Sequence, residues 1–207
     1  MKILSTPFYI TAFLLVLSTF AKAQDNDYII NNHGDTIQCK IKTPALGGEP
    51  KYQPINALHD AYVKITIEEI KEYYLSDPQI TFRRIYIDST KAGPAVAFMR
   101  PMERGTISIY LCETSTSYYT FHNTYYSFPA IQWYVTKNSD TATLLKTSLP
   151  GIIKTSKGER KDVLAELLKD KKDVYDKYVK ENKFDSKYIL NIIHLYNTGV
   201  ELNKQRR

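Results

Sequence analysis

The hydrophobic period of this chain changes once, near residue 150, and that change limits what it can fold into. From about Tyr28 to Leu149, apolar and polar residues alternate in short runs, as they do along strands. From about Lys157 to Asn197 the apolar residues recur at helical spacing. Strands first and helices after predict an α+β chain whose helices pack on an antiparallel sheet.

The strand half opens with two β-rich runs, Tyr28 to Asn31 and Thr36 to Lys42, joined by Asn32-His33-Gly34-Asp35. A short Asn/Gly/Asp segment between such runs predicts a hairpin. Residues 43–56 hold Pro44, Gly47, Gly48, Pro50 and Pro54 and read as a loop. Tyr62 to Ile67 alternates again, and Ile80 to Ile87 is a strong strand after the Asp77-Pro78 break. Ile70 to Leu75 fits either a short strand or a helical turn. Ala95 to Arg100 and Thr106 to Cys112 flank Glu103-Arg104-Gly105 as a second hairpin. Ser117 to His122 and Ile131 to Thr136 complete about eight strands. Short turns force antiparallel neighbours, so a meander curled into a barrel or roll is the expected architecture.

Beyond residue 150 the caps are legible. Ser156-Lys157-Gly158-Glu159 matches a capping box, followed by a stripe of Val163, Leu164, Leu167 and Leu168. Val174, Tyr178 and Val179 predict a second helix ending near Asn182. Ser186 is the expected cap of a third, whose buried stripe is Ile189, Ile192, Ile193 and Tyr196, with Gly199 at its stop. Helices this short need packing to persist, so residues 151–207 are expected to dock on the β domain of residues 24–150, with Lys204, Arg206 and Arg207 as a basic tail.

The first 23 residues read as a secretory signal peptide. Met1-Lys2 is positively charged, Ile10 to Phe20 is apolar, and Ala21-Lys22-Ala23 gives the small-x-small pattern cut by signal peptidase. The apolar run is shorter than a bilayer span, and no later stretch is long and apolar enough for one. Gln24, not Cys, follows the expected cleavage point, which argues against a lipoprotein-type anchor. Removing 23 residues from 207 leaves 184, enough to bury a core without disulfides. Loss of Lys2 and Lys22 takes the formal charge from +6 to +4, a mild attraction to anionic envelope surfaces. No basic groove with a nucleic-acid-reading motif is present, so nucleic acid is not an expected partner.

Export permits a disulfide between Cys39 and Cys112, the two cysteines. Cys39 shares the apolar face of Ile37 and Ile41, whereas Cys112 falls opposite Ile107, Ile109 and Leu111. One thiol is therefore expected in the core and the other away from it, as free thiols.

Residues that could carry chemistry are scattered. His33, His59, His122 and His194 are not at metal-ligand spacing, and no cofactor motif occurs. His194 reads as a helix-surface residue. No Gly-x-Ser-x-Gly elbow or convincing Ser-x-x-Lys pair is present. Between Lys157 and Lys187, ten basic residues face eight acidic ones, which is a solvated helical surface rather than a cluster. The dense stretch is aromatic: Tyr118, Tyr119, Tyr125, Tyr126, Trp133 and Tyr134 are candidate ligand-binding residues, because flat rings bury much area at little entropic cost. The competing reading is cross-strand packing inside a sheet.

Several segments form a recognisable set: Tyr28-Ile-Ile-Asn-Asn-His-Gly-Asp-Thr-Ile, Gly105-Thr-Ile-Ser-Ile-Tyr-Leu, Trp133-Tyr-Val-Thr-Lys-Asn, and Leu167-Leu-Lys-Asp through Ile189 to Tyr196-Asn197. Together with the signal ending they resemble a broad group of uncharacterised secreted proteins of Gram-negative, Bacteroidetes-type bacteria. The resemblance implies export and a β-then-helix layout, and carries no activity, cofactor or site residue.

The expectation is thus an exported envelope protein, periplasmic or at the outer-membrane or extracellular surface. It would act as a non-enzymatic binding module for an envelope protein or glycan. The alternative is a periplasmic hydrolase whose site assembles only in three dimensions around a residue such as His122.

Overall fold

The computed structural model describes residues 26–44, 49–57, 61–88, 96–119, 125–139, 141–148 and 156–202, with the side chains of 114–119 and 125–129 outside that description. The segment read as a signal peptide, His59, His122 and the basic tail lie outside the described residues.

The β half holds ten strands: β1 Asp27–Asn31, β2 Thr36–Lys42, β3 Lys51–Pro54, β4 Val63–Lys64, β5 Ile70–Leu75, β6 Ile80–Ile87, β7 Val96–Glu103, β8 Ile107–Tyr119, β9 Tyr125–Lys137 and β10 Thr141–Thr147. They form one sheet in the order β10-β9-β8-β7-β6-β5-β1-β2-β3-β4. All pairings are antiparallel except one. β10 also runs parallel to β6, pairing Thr141 with Tyr86 and Ala142 with Ile87. Strand β5 covers the first half of that β6 edge, at Ile80 to Arg83, and β10 takes over where β5 ends.

Ten strands replace the expected eight: β3 and β10 are added, Ile70 to Leu75 resolves as strand β5, and one expected strand merges into β8. Residues 51–54, read as loop, form β3. Pro54 is tolerated because β4 reaches only Lys51 and Tyr52, so no ladder bond is lost at the proline. Strand β10 was hidden by a register shift between Leu144 and Lys146, which breaks its alternation. The run from Ser117 is not a separate strand but the end of β8, which continues through the polar residues Glu113 to Thr116 and pairs with β9 along its length.

The β1–β2 turn explains its own sequence. Asn31 Oδ1 accepts the backbone N–H groups of His33 and Asp35, each at 2.9 Å. Gly34 has φ +89°, a conformation that suits glycine.

Three helices follow: α1 Lys157–Leu168, α2 Lys172–Glu181 and α3 Ser186–Thr198. The Ser156–Glu159 capping box is present at α1. Asn182 and Gly199 end α2 and α3 in the left-handed conformation. Asp185, not Ser186, caps α3, its carboxylate accepting the Tyr188 N–H at 2.9 Å. Among the described residues no helix is long and apolar enough to cross a membrane.

Both faces of the central strands are buried. On one, Ile107, Ile109 and Leu111 of β8, Trp133 and Val135 of β9 and Leu145 of β10 meet Leu164, Leu168, Val174, Tyr178, Ile189, Ile192, Ile193 and Tyr196 of the helices. On the other, Ile85, Ile87, Met99, Tyr110, Cys112, Tyr134 and Ala142 form a second cluster. A third, around Ile29, Cys39, Ile65, Ile70 and Tyr73, lies under β1, β2 and β5. Cys112 is therefore a core residue, only 6% exposed, contrary to its expected outward placement. Alternation located its face correctly, but that face is also covered. Both cysteines are free and sit in different clusters.

Candidate functional site

The aromatic candidates separate into two groups. Trp133 and Tyr134 are adjacent on β9 and point to opposite sides, Trp133 into the helix-packed cluster and Tyr134 into the second one. Tyr134 is 1% exposed, and its hydroxyl donates to Gln132 Oε1 at 3.2 Å. Burial pushes that phenol up to about 12. Trp133 is 9% exposed, so both side chains belong to the core.

Tyr118, Tyr119, Tyr125 and Tyr126 have described backbone, and their side chains lie outside the described residues. The register pairs Tyr118 with Tyr126 and Tyr119 with Tyr125. β7 pairs with β8 only up to Leu111, and β10 pairs with β9 only up to Gln132. From Thr114–Ala130 to Tyr119–Tyr125 the two strands thus pair, among the described residues, only with each other. That gives a two-stranded ribbon of roughly 20 Å whose tyrosines are matched in cross-strand pairs.

The histidine reading changes too. His33 is exposed in the β1–β2 turn. His194 is not on the helix surface: its side chain is 12% exposed and its Nδ1 lies 3.0 Å from Glu103 Oε1. Sequence spacing could not show this, because the partners are 91 residues apart.

His194 belongs to a larger junction where β7, β8, β9 and the helices meet. The Asn197 amide accepts the Ile107 N–H at 3.1 Å and donates to the Ile107 carbonyl at 2.8 Å. A Cβ on Gly105 would fall 2.4 Å from the Asn197 side chain, so only glycine fits there. One residue earlier, the Tyr196 hydroxyl donates to Asp170 at 2.7 Å. Lys137 pairs with Asp170 at 2.7 Å and donates to the Leu167 carbonyl at 2.7 Å. Hydrogen bonds from Lys137 and Tyr196 hold the Asp170 carboxyl below its usual range. Gly105, Lys137, Asp170, Tyr196 and Asn197 therefore form a clamp that fixes α3 to the ends of β8 and β9. It is a structural device.

The cleft with concentrated charge lies elsewhere, between β10 and the helices. Lys146, Thr147, Lys157, Arg160, Asn182, Lys183, Phe184 and Asp185 line a space of about 510 Å³. Lys146 donates to Ser186 Oγ at 2.8 Å. Lys183 pairs with Glu181 at 3.2 Å and lies over the Tyr188 ring. The Asp185 carboxyl is held low, first by the Tyr188 N–H and also by Lys146. Next to this cleft is a depression of about 330 Å³, lined by Leu111, Ile131, Trp133, Lys146, Thr147, Ser148 and Ser186. No local signal announces the pair, because β10 is not legible as a strand in the alternation.

Among the described residues no group of three or more His, Cys, Asp or Glu side chains is placed to hold a metal ion. The chain matches no protein-family model, no curated protein and no solved structure.

Proposed function

We propose that the protein is an exported component of a bacterial envelope, periplasmic or surface-facing, that binds an envelope protein or glycan rather than transforming a substrate. Its gripping element is the β8–β9 ribbon, with Tyr118, Tyr119, Tyr125 and Tyr126 as contact residues. Trp133 and Tyr134 serve as its buried root. We read β6 to β10 as a small closed roll beneath it, supported by the pairing of β10 with both β9 and β6.

The observation that carries this reading is the register. Cross-strand tyrosine pairs occupy the stretch of β8 and β9 that has no other strand partner among the described residues. Aromatic side chains bury much contact area at little entropic cost, and this stretch concentrates four of them. Export rests on the signal-like first 23 residues and on the resemblance to secreted proteins.

Capture from envelope extracts tests it. Single alanine variants at Tyr118, Tyr119, Tyr125 and Tyr126 are expected to lose capture of a specific partner by roughly 2 kcal/mol or more, with melting temperature nearly unchanged. Loss of stability in every variant, with no selective loss of capture, would reduce the ribbon to ordinary sheet packing.

A further inference from the structure

Backbone register decides which edge of the β8–β9 ribbon is open. On an antiparallel strand the N–H and C=O of one residue point to the same side, and successive residues alternate. Ile131 of β9 donates its N–H to Ser148 Oγ, and its carbonyl accepts the Ser148 N–H, each at 2.9 Å. Its backbone groups therefore point away from β8. Glu113 lies opposite Ile131, so its groups point away from β9. Alternation extends this outward set to Ser115, Ser117 and Tyr119. The same parity holds at the other end of β8. Ile107 turns both groups to the Asn197 amide, and Ile109 and Leu111 pair with β7. One edge is thus occupied by Asn197, then by β7, and from Glu113 onward by no strand among the described residues.

The two edges of the ribbon differ. On β9 the outward position before Ile131 is Pro129, which has no N–H, and Ser148 already occupies Ile131. An outward proline and a covering loop are devices that keep an edge from pairing. Residues 113–119 of β8 hold neither proline nor lysine, and Glu113 is their only charged residue. We propose that this edge pairs antiparallel with the same edge of a second copy of the chain, joining the two ribbons into one sheet in the order β9-β8-β8-β9. A register centred on Thr116 sets Ser115 opposite Ser117 and Glu113 opposite Tyr119. Every outward residue of each copy then finds a partner, and no like charges meet, so the edge fits itself. The contact is isologous and closes at two copies. It draws on backbone groups alone, and it stands whether or not the tyrosines grip an envelope ligand.

Sedimentation equilibrium of residues 24–207 tests it, and a monomer–dimer association is expected. Ser117→Pro removes an outward N–H but no bond to β9, and should weaken the dimer by about tenfold or more. Thr116→Cys meets its own copy at the two-fold axis and should cross-link the dimer under mild oxidation. Thr114→Cys should not, because only the axis brings equal residues within disulfide reach. A chain with Ser115→Lys and Ser117→Lys, and one with Ser115→Glu and Ser117→Glu, should each be monomeric alone and associate when mixed. Circular dichroism checks that each variant is folded. Monomer at every concentration would overturn the proposal and leave the edge to an extended segment of another protein. A dimer of unchanged affinity in the folded Ser117→Pro chain, or equal cross-linking at positions 114 and 116, would overturn it as well. So would dimers of unchanged affinity in the two charged variants taken singly.

Discussion

Asn197, in the last turn of the final helix, hydrogen-bonds both backbone groups of Ile107, 90 residues earlier. Its side-chain amide thus acts as a peptide group would in a neighbouring strand. The helix is tied to the sheet by polar geometry as well as by the apolar stripe of Ile189, Ile192 and Ile193.

Asn197→Ala should therefore cost about 1–3 kcal/mol, because it strands a part-buried N–H and carbonyl on Ile107. Gly105→Ala should cost as much or more, since the added methyl has no room beside Asn197. Urea denaturation would measure both. In the double variant the losses should be less than additive, because both act on one contact. Additive losses would show that the two residues are not coupled.

The helical segment contributes ten of the sixteen buried residues of the largest core cluster. A chain truncated after Pro150 should expose Ile107, Ile109 and Leu111 of β8, each worth roughly 1.5–3 kcal/mol when buried. Aggregation or a much lower melting temperature is expected. As a milder check, Ile192→Ala should destabilise by about 2–5 kcal/mol. An unchanged melting temperature in the truncated chain would make the helices an independent appendage.

These contacts also show what could and could not be read from the sequence. Local signals were sufficient for the β1–β2 turn, the Ser156 capping box and the Gly199 stop, because each is set by residues within one turn of each other. Alternation placed Cys112 on the correct face of β8, but could not reveal that a second cluster covers that face. Prolines concealed β3 and a register shift concealed β10, since both interrupt a period without preventing pairing. His194 and the cleft between β10 and the helices depend on partners far apart in sequence, and no spacing rule anticipates such meetings. Of the candidate aromatics, Trp133 and Tyr134 illustrate the same limit: their residue type suits a ligand and a core equally.

Tyr134 offers a direct contrast with the ribbon tyrosines. Tyr134→Ala should destabilise by roughly 3–5 kcal/mol, and should alter binding only through unfolding. Tyr126→Ala should leave stability almost intact. Thermal melts of the two variants side by side would separate core from surface roles. Equal losses would place Tyr126 in the packing as well.

Export makes its own prediction. Cleavage after Ala23 should leave Gln24 as the first residue of the mature protein, which N-terminal sequencing of the exported form reads directly. A mature species still carrying Phe20 would overturn the signal-peptide reading.

Alkaline pH should destabilise the fold, and the sign follows from burial. Desolvation, helped by Asp27, pushes the Cys39 thiol up to about 12, and burial pushes Tyr134, Tyr178 and Tyr188 to about 12. In the unfolded chain a thiol titrates near about 8.5 and a phenol near about 10. The folded state therefore keeps protons that the unfolded state releases. Stability from these groups is fully present below about pH 8.5, declines as pH rises, and is lost as it passes about 12. Urea midpoints should fall steadily between about pH 9 and pH 11. Native Cys39 should resist alkylation over the same range and react once the chain is unfolded, because only the thiolate is nucleophilic. A urea midpoint that stays constant to about pH 11, or rapid native alkylation of Cys39, would show that these groups are not held in the dry cores described.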